Sequence, residues 1–282
     1  MNIKAKKLPL SLLLSCLIPG VASAEAQLFG QANLSVASLD DDTGSATAVD
    51  SHSSRVGIEG DISFKGSLEI AYRFVWQIDM ADEVASSNDH LKSREQYIGL
   101  KDSWGEVRIG RHDTPYKKAG KKSVEFFSDS YADWNNIITK SHDIRADSSV
   151  SYYKTVGPAK LSVMYAAGED TTTNNNAGDI ISFAADMKFD DLTFALAYQD
   201  IEVGIVNPAT TAAKVVVGYK LGASSVGIAI ENIDEDGSPG LTNTMLSLKH
   251  QIDDSNTIKF TFGDAEDLIP GINDPSMMAL GI

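Results

Sequence analysis

The side chains best suited to chemistry are present in this chain, but they are not spaced to make or break bonds. Five histidines, His52, His90, His112, His142 and His250, form no HExxH pair and no other zinc-ligand spacing. No GxSxG elbow or phosphate-cradling glycine loop occurs. The acidic runs Asp40-Asp41-Asp42 and Asp234-Glu235-Asp236 lack the closing Glu of an EF-hand and read as solvated loops. No catalytic set, metal or cofactor is expected. What remains is charge placed for electrostatics. Arg55, Glu59, Glu69, Arg73 and Arg108 fall on the polar faces of alternating segments. Glu125, Asp129 and Asp133 fall together in one long connection.

The elements that position these charges follow an export signal. Lys4, Lys6 and Lys7 form a basic region, Leu8 to Ile18 an apolar one, and Val21-Ala22-Ser23-Ala24 a small-residue cleavage site. Residues 1–24 are therefore expected to be a signal peptide, with cleavage after Ala24 preferred to cleavage after Ala26. Cys16, the single cysteine, leaves with it, so the exported chain has no thiol. The formal charge of −15 includes three signal lysines, so residues 25–282 carry −18. So acidic a chain suits no nucleic acid, which calls for a basic stripe. No apolar run after residue 24 is long enough for a spanning helix.

Instead, the apolar residues alternate. Leu68, Ile70, Tyr72, Phe74, Trp76 and Ile78 share one face, and Glu69, Arg73, Gln77 and Asp79 the other. A period of two over ten residues is a strand signal. Repeats of it predict fourteen strands, near 28–39, 53–63, 67–79, 94–101, 105–112, 147–154, 160–167, 179–188, 192–200, 213–221, 225–231, 241–251, 256–263 and 276–282. Short connections such as Asp102-Ser103, Asp190-Asp191 and Gly222-Ala223 alternate with long ones, near 40–52, 80–93, 113–146, 168–178, 201–212, 232–240 and 264–275. Transmembrane antiparallel β-barrels separate their turns and loops in this way. Phe64, Trp104 and Phe189 beside short turns, with Trp76, Tyr165 and Tyr198 near long loops, suit two interfacial aromatic belts. The connection 113–146 exceeds all others and holds Tyr116, Phe126, Phe127, Tyr131, Trp134 and Ile137-Ile138, enough apolar surface to fold into the lumen.

Three stretches carry a family resemblance: Arg55-Val56-Gly57-Ile58-Glu59-Gly60, Arg94-Glu95-Gln96-Tyr97-Ile98-Gly99-Leu100-Lys101, and Trp104 through Pro115. With Arg145, Ser148-Ser149-Val150-Ser151-Tyr152 and Ala279-Leu280-Gly281-Ile282, the chain resembles the general trimeric porins of Gram-negative outer membranes. The resemblance implies a homotrimer in outer-membrane lipid and lipopolysaccharide. It also implies a third loop whose acids, Glu125, Asp129 and Asp133, face an arginine wall. Arg55 and Arg111 match that wall, and Arg145 matches it less closely. Arg108 is added by alternation alone. Alternation turns Arg111 outward, so a bulge must re-aim it if it is to reach the lumen. Members of the family usually have sixteen strands and a terminal aromatic residue. Fourteen strands mean either that a hairpin is absent or that two elements lie merged in a loop, so sixteen remain possible, and the end at Ile282, short of that aromatic residue, reads as a truncated closing strand. The expected function is passive diffusion of small hydrophilic solutes and ions. A solute-specific porin is the nearest alternative, ahead of an outer-membrane adhesin or hydrolase. The acidic mouth predicts a weak preference for cations.

Overall fold

The computed structural model describes residues 23–41, 44–63, 66–81, 91–139, 142–168, 178–202, 209–235, 240–266 and 276–282. The expected signal region through residue 22 with Cys16, the belt residue Phe64, His90 and the tips of most long connections lie outside the described residues. Its strands are β1 (Ser23–Gln31), β2 (Leu34–Asp41), β3 (Gly44–Ser51), β4 (Arg55–Ser63), β5 (Glu69–Ile78), β6 (Leu91–Asp102), β7 (Gly105–Asp113), β8 (Arg145–Val156), β9 (Ala159–Ala166), β10 (Ile180–Phe189), β11 (Leu192–Ile201), β12 (Thr210–Leu221), β13 (Ser224–Glu235), β14 (Leu241–Gln251), β15 (Thr257–Asp264) and β16 (Ser276–Gly281). Fourteen of them form one antiparallel sheet in the order β1, β4, β5 and so on to β16. No ladder joins β1 to β16 among the described residues. No described helix is long and apolar enough to cross a membrane, and the crossing is made by strands.

The alternation read from the sequence sorts side chains between the two faces. Along β12, Val215, Val217, Tyr219 and Leu221 are exposed, whereas Ala212, Lys214 and Val216 are buried. Apolar residues outside and polar ones inside invert the soluble pattern, as lipid outside and water inside require. The inner faces of the two halves differ in size. Strands β10 to β14 present Ser182, Ala184, Ala195, Ala197, Ala212, Gly218, Gly227 and Ser247, while β4 to β7 present Glu59, Arg73, Tyr97 and Arg108. The first half is a shallow seat, the second a wall of long charged side chains.

Two departures from strict strand geometry matter. The first strand, expected over 28–39, breaks at Ala32-Asn33, and the connection expected near 40–52 is largely the β2–β3 hairpin. The ladder changes register there. Ser54 fills the gap, its Oγ accepting from Asn33 N at 2.9 Å and donating to Asn33 O at 3.2 Å. The second departure is a bulge in β6, where the register with β5 shifts between Phe74 and Trp76. Arg94 and Glu95 together oppose Val75, so two consecutive residues lean inward where alternation allows one.

Gly227 tests the shallow seat. A Cβ there would collide with the backbone carbonyl of Ser123 in the long connection. Gly227→Ala is expected to push that segment toward the charged wall, lowering single-channel conductance, and to cost about 1–3 kcal/mol of stability by overpacking. Conductance steps and the temperature of unfolding on gels measure both effects.

Candidate functional site

The connection from β7 to β8 folds as a lumen-filling loop because its turns are capped locally and its apolar residues meet the small-residue wall. The Thr114 side chain accepts from Lys117 N at 3.2 Å and starts a short helix, α1 (Pro115–Lys118). Gly120, at φ +68°, allows the turn into α2 (Lys121–Val124). Asp133 starts a 3-10 turn over Trp134–Asn136 by accepting from Asn135 N at 3.1 Å, and it also accepts from Asp129 N at 2.7 Å. Tyr116, Ala119, Val124, Trp134, Ile137 and Ile138 are buried against alanines and other inward residues of β10 to β14.

One carboxylate fastens this packing. Glu231, buried on β13, accepts from Tyr116 OH at 2.6 Å and from Asn243 Nδ2 at 2.9 Å. It also accepts from Thr139 N, at 2.9 and 2.8 Å to its two oxygens. Burial, and then the neighbouring carboxylate, push the Tyr116 hydroxyl well above the ordinary tyrosine range, so it stays a donor. Lys214, one turn of the pleat inside β12, stands 4.5 Å from the Tyr116 ring centre and 4.3 Å from that of Trp134. The two rings cradle its buried charge.

On the opposite side the loop is braced by the β2–β3 hairpin. Asn33 Nδ2 donates to Asp129 O at 2.6 Å, Tyr131 OH donates to Asp50, and His52 meets the Tyr131 ring edge-on at 4.9 Å. Between loop and charged wall lies a gap of about 460 Å³. Seven basic side chains line it, Arg55, Arg73, Arg94, Lys118, Lys121, Lys122 and Arg145, against four acidic ones, Glu95, Asp113, Glu125 and Asp129. Every acid is paired: Arg55 with Asp129 at 3.2 Å, Arg73 with Glu95 at 2.6 Å, Lys121 with Glu125 at 2.9 Å and Arg145 with Asp113 at 2.9 Å. The surplus falls on Arg94, which donates to Gln77 Oε1 at 2.6 Å, and on Lys118 and Lys122.

The residues singled out in the sequence therefore divide. Arg55, Arg73, Arg145, Glu125 and Asp129 meet at the gap. Arg108 lies lower, in a wider cavity of about 900 Å³ shared with Glu59 and Arg73. Its guanidinium grips Glu106 at 2.5 and 3.0 Å and lies 4.6 Å from the ring centres of both Tyr97 and Tyr153. Glu59 pairs with Arg73, and Glu69 with Lys101 at 2.7 Å beside a short turn. Asp133 is a buried cap and does not line the gap. Arg111 shares its strand face with Val107 and Ile109 and binds Asp147 at 2.7 Å, away from the gap. A bulge does occur beside it, but on β8, where Asp147 and Ser148 together oppose Arg111. It therefore leaves Arg111 facing as alternation placed it. Arg94 and the loop lysines were not among the expected site residues. The lysines are visible in the sequence as Lys117-Lys118 and Lys121-Lys122. Arg94 has the wrong parity and is reachable only through the bulge.

The family profile described as Gram-negative porin matches residues 11–282. The major outer membrane protein P.IB of Neisseria meningitidis is 23% identical over 274 residues, covering 92% of this chain and 78% of that protein. An anion-selective porin from Comamonas acidovorans superposes with a TM-score of 0.72 at 20% identity, over 86% of this chain and 79% of the other. OmpF of Salmonella typhi, in complex with daunomycin, gives 0.71 at 13% identity, over 89% and 82%.

The loop's seat should depend on pH through His142. This side chain is fully buried, 5.7 Å from the Tyr116 ring. Burial lowers its pKa to about 4; a hydrogen bond with the Thr210 backbone opposes the shift and Lys214 adds to it. The folded state thus favours the neutral ring. Its contribution is complete above the unfolded value of 6.5 and is lost as pH falls toward about 4. The expected loss is about 3 kcal/mol. Thermal unfolding followed from pH 7 to pH 4 measures it, and His142→Gln should flatten the curve over that window.

Proposed function

The chain belongs to the Gram-negative porin family, and from that premise we propose how it conducts. It is a passive diffusion channel of the outer membrane for small hydrophilic solutes and ions. It carries out no reaction and uses no cofactor; lining charges orient water and polar solutes in the gap and obstruct apolar ones. Arg55, Arg73, Arg94, Arg145, Glu125 and Asp129 form the constriction, with Lys118, Lys121 and Lys122 on the loop. Residues 1–24 are removed on export, and lipopolysaccharide surrounds the outer rim.

The gap selects anions. The observation that carries this reading is the excess of three positive charges in the gap between loop and wall, where each of the four acids already has a basic partner. It reverses the preference expected from the acidic mouth, because charges beside a low-dielectric wall are screened less than those of solvated loops. The relative from Comamonas acidovorans is itself described as anion-selective. The reversal potential in a KCl gradient should favour chloride at low salt. Arg94→Gln with Lys122→Gln should lower the chloride-to-potassium permeability ratio about two-fold or more by removing two surplus charges. A potassium-favouring potential in the unaltered protein would show that the mouth decides.

The channel is also proposed to be a homotrimer. Gly30, Gly60 and Ala185 put small side chains on the outward face, where barrels can approach closely. A structural relative from Vibrio cholerae is described in a trimer form. Unboiled samples should migrate as trimers on gels. A monomer mass by light scattering in mild detergent would reject this assembly.

A further inference from the structure

Below the constricting loop, toward the short turns, lies a second cavity of about 500 Å³, which shares Lys118, Lys121 and Lys122 with the gap. Two surfaces enclose it. The loop contributes Lys118, Lys121 and Lys122, and the wall contributes Lys160 of β9 and Lys188 of β10. The single carboxylate present, Asp186, sits opposite Lys160 in the ladder and already accepts from Gly120 N at 2.9 Å. Lys121 is paired with Glu125. Among the described residues, Lys118, Lys122, Lys160 and Lys188 have no ion-pair partner.

Four ammoniums without a carboxylate partner stand around one cavity and repel one another, although water reaches all four and Lys160 also lies 5.6 Å from the Tyr153 ring centre. Burial pulls the Lys118 pKa below the usual lysine range; Glu95 and Asp113 oppose the shift, and Arg108 and Lys160 add to it. Structural charges are normally answered by partners, as Lys117 is by Asp113 at 3.4 Å and Asp143 at 2.8 Å. The residue type is also selective. The gap above adds four arginines, whose planar forks match carboxylates, to the three loop lysines that the two spaces share. The cavity is lined by lysines, which act as point charges and suit a compact anion whose charge is spread over several oxygens. Its volume is in the range of small-ligand sites.

We propose that this cavity is an internal binding site for a small multivalent oxyanion of the phosphate class, met after passage through the constriction. The inference rests on the channel reading above and deepens it, since a bound intermediate stage makes the pore favour such solutes over chloride.

The test uses the full-length protein in planar bilayers in KCl, with inorganic pyrophosphate added. Chloride current should fall to a plateau as pyrophosphate rises. In Lys160→Gln with Lys188→Gln, the half-blocking concentration, taken relative to that variant's own conductance, should rise about tenfold. Calorimetry with pyrophosphate on folded protein in detergent should show the same shift. Heat-modifiable migration checks folding, and Lys188→Gln alone replaces the double variant if that fails to fold. Equal half-blocking concentrations, or chloride current that pyrophosphate does not saturably block, would overturn the site while leaving the channel intact. Absence of chloride current from folded protein would overturn the channel reading; calorimetry would then decide the site separately.

Discussion

Everything the lumen does depends on one packing constraint: the long loop must lie against a wall made shallow enough to receive it. Alanine, serine and glycine on the inner faces of β10 to β14 leave room for Tyr116, Trp134, Ile137 and Ile138. Burying those groups supplies a favourable term of about 25 cal/mol per Å² of apolar area. Area alone would not fix the loop's position. Glu231 does so, because it accepts from two residues of the loop and one of β14. Loss of that carboxylate would leave buried donors unmet, which costs more than the bonds contribute when made.

With the loop seated on one side, the opposite wall is free to carry long charged side chains. These are ordered by pairing rather than by burial. Arg73 spans Glu59 and Glu95, and Arg108 is held by Glu106 and two aromatic rings. Surface ion pairs in open water contribute little. Here their worth is geometric: they hold charged heads at fixed places around a narrow passage. The pairs also cancel most of the field, which gives the few unpaired cations their influence.

Much of this was legible in the sequence, because a barrel strand writes its two faces in alternate residues. Arg55, Glu59, Glu69 and Arg73 could be placed inward by parity alone, and the loop was marked by its length and aromatic content. Features that break parity were not legible. Arg94 reaches the gap through a bulge that shifts the register of β6 by one residue. Asp133 has the charge of a pore residue, but its backbone position makes it a cap. The β2–β3 hairpin reads as loop because Asp40-Asp41-Asp42 and Thr43-Gly44 are turn residues, whereas its ladder is secured from outside the segment by Ser54 and Asn33. The anion preference proposed above was not legible for a related reason. Total charge counts solvated loops equally with the gap, and only the folded chain shows which charges line the gap.

The same hairpin gives the loop a second support. Fastened by Glu231 at one side and by Asn33, Asp50 and His52 at the other, the loop behaves as a beam clamped at both ends rather than as a cantilever. A doubly clamped beam of given stiffness bends far less under the same thermal load. The width of the passage is therefore a property of the scaffold, and the current through it carries little noise from the loop.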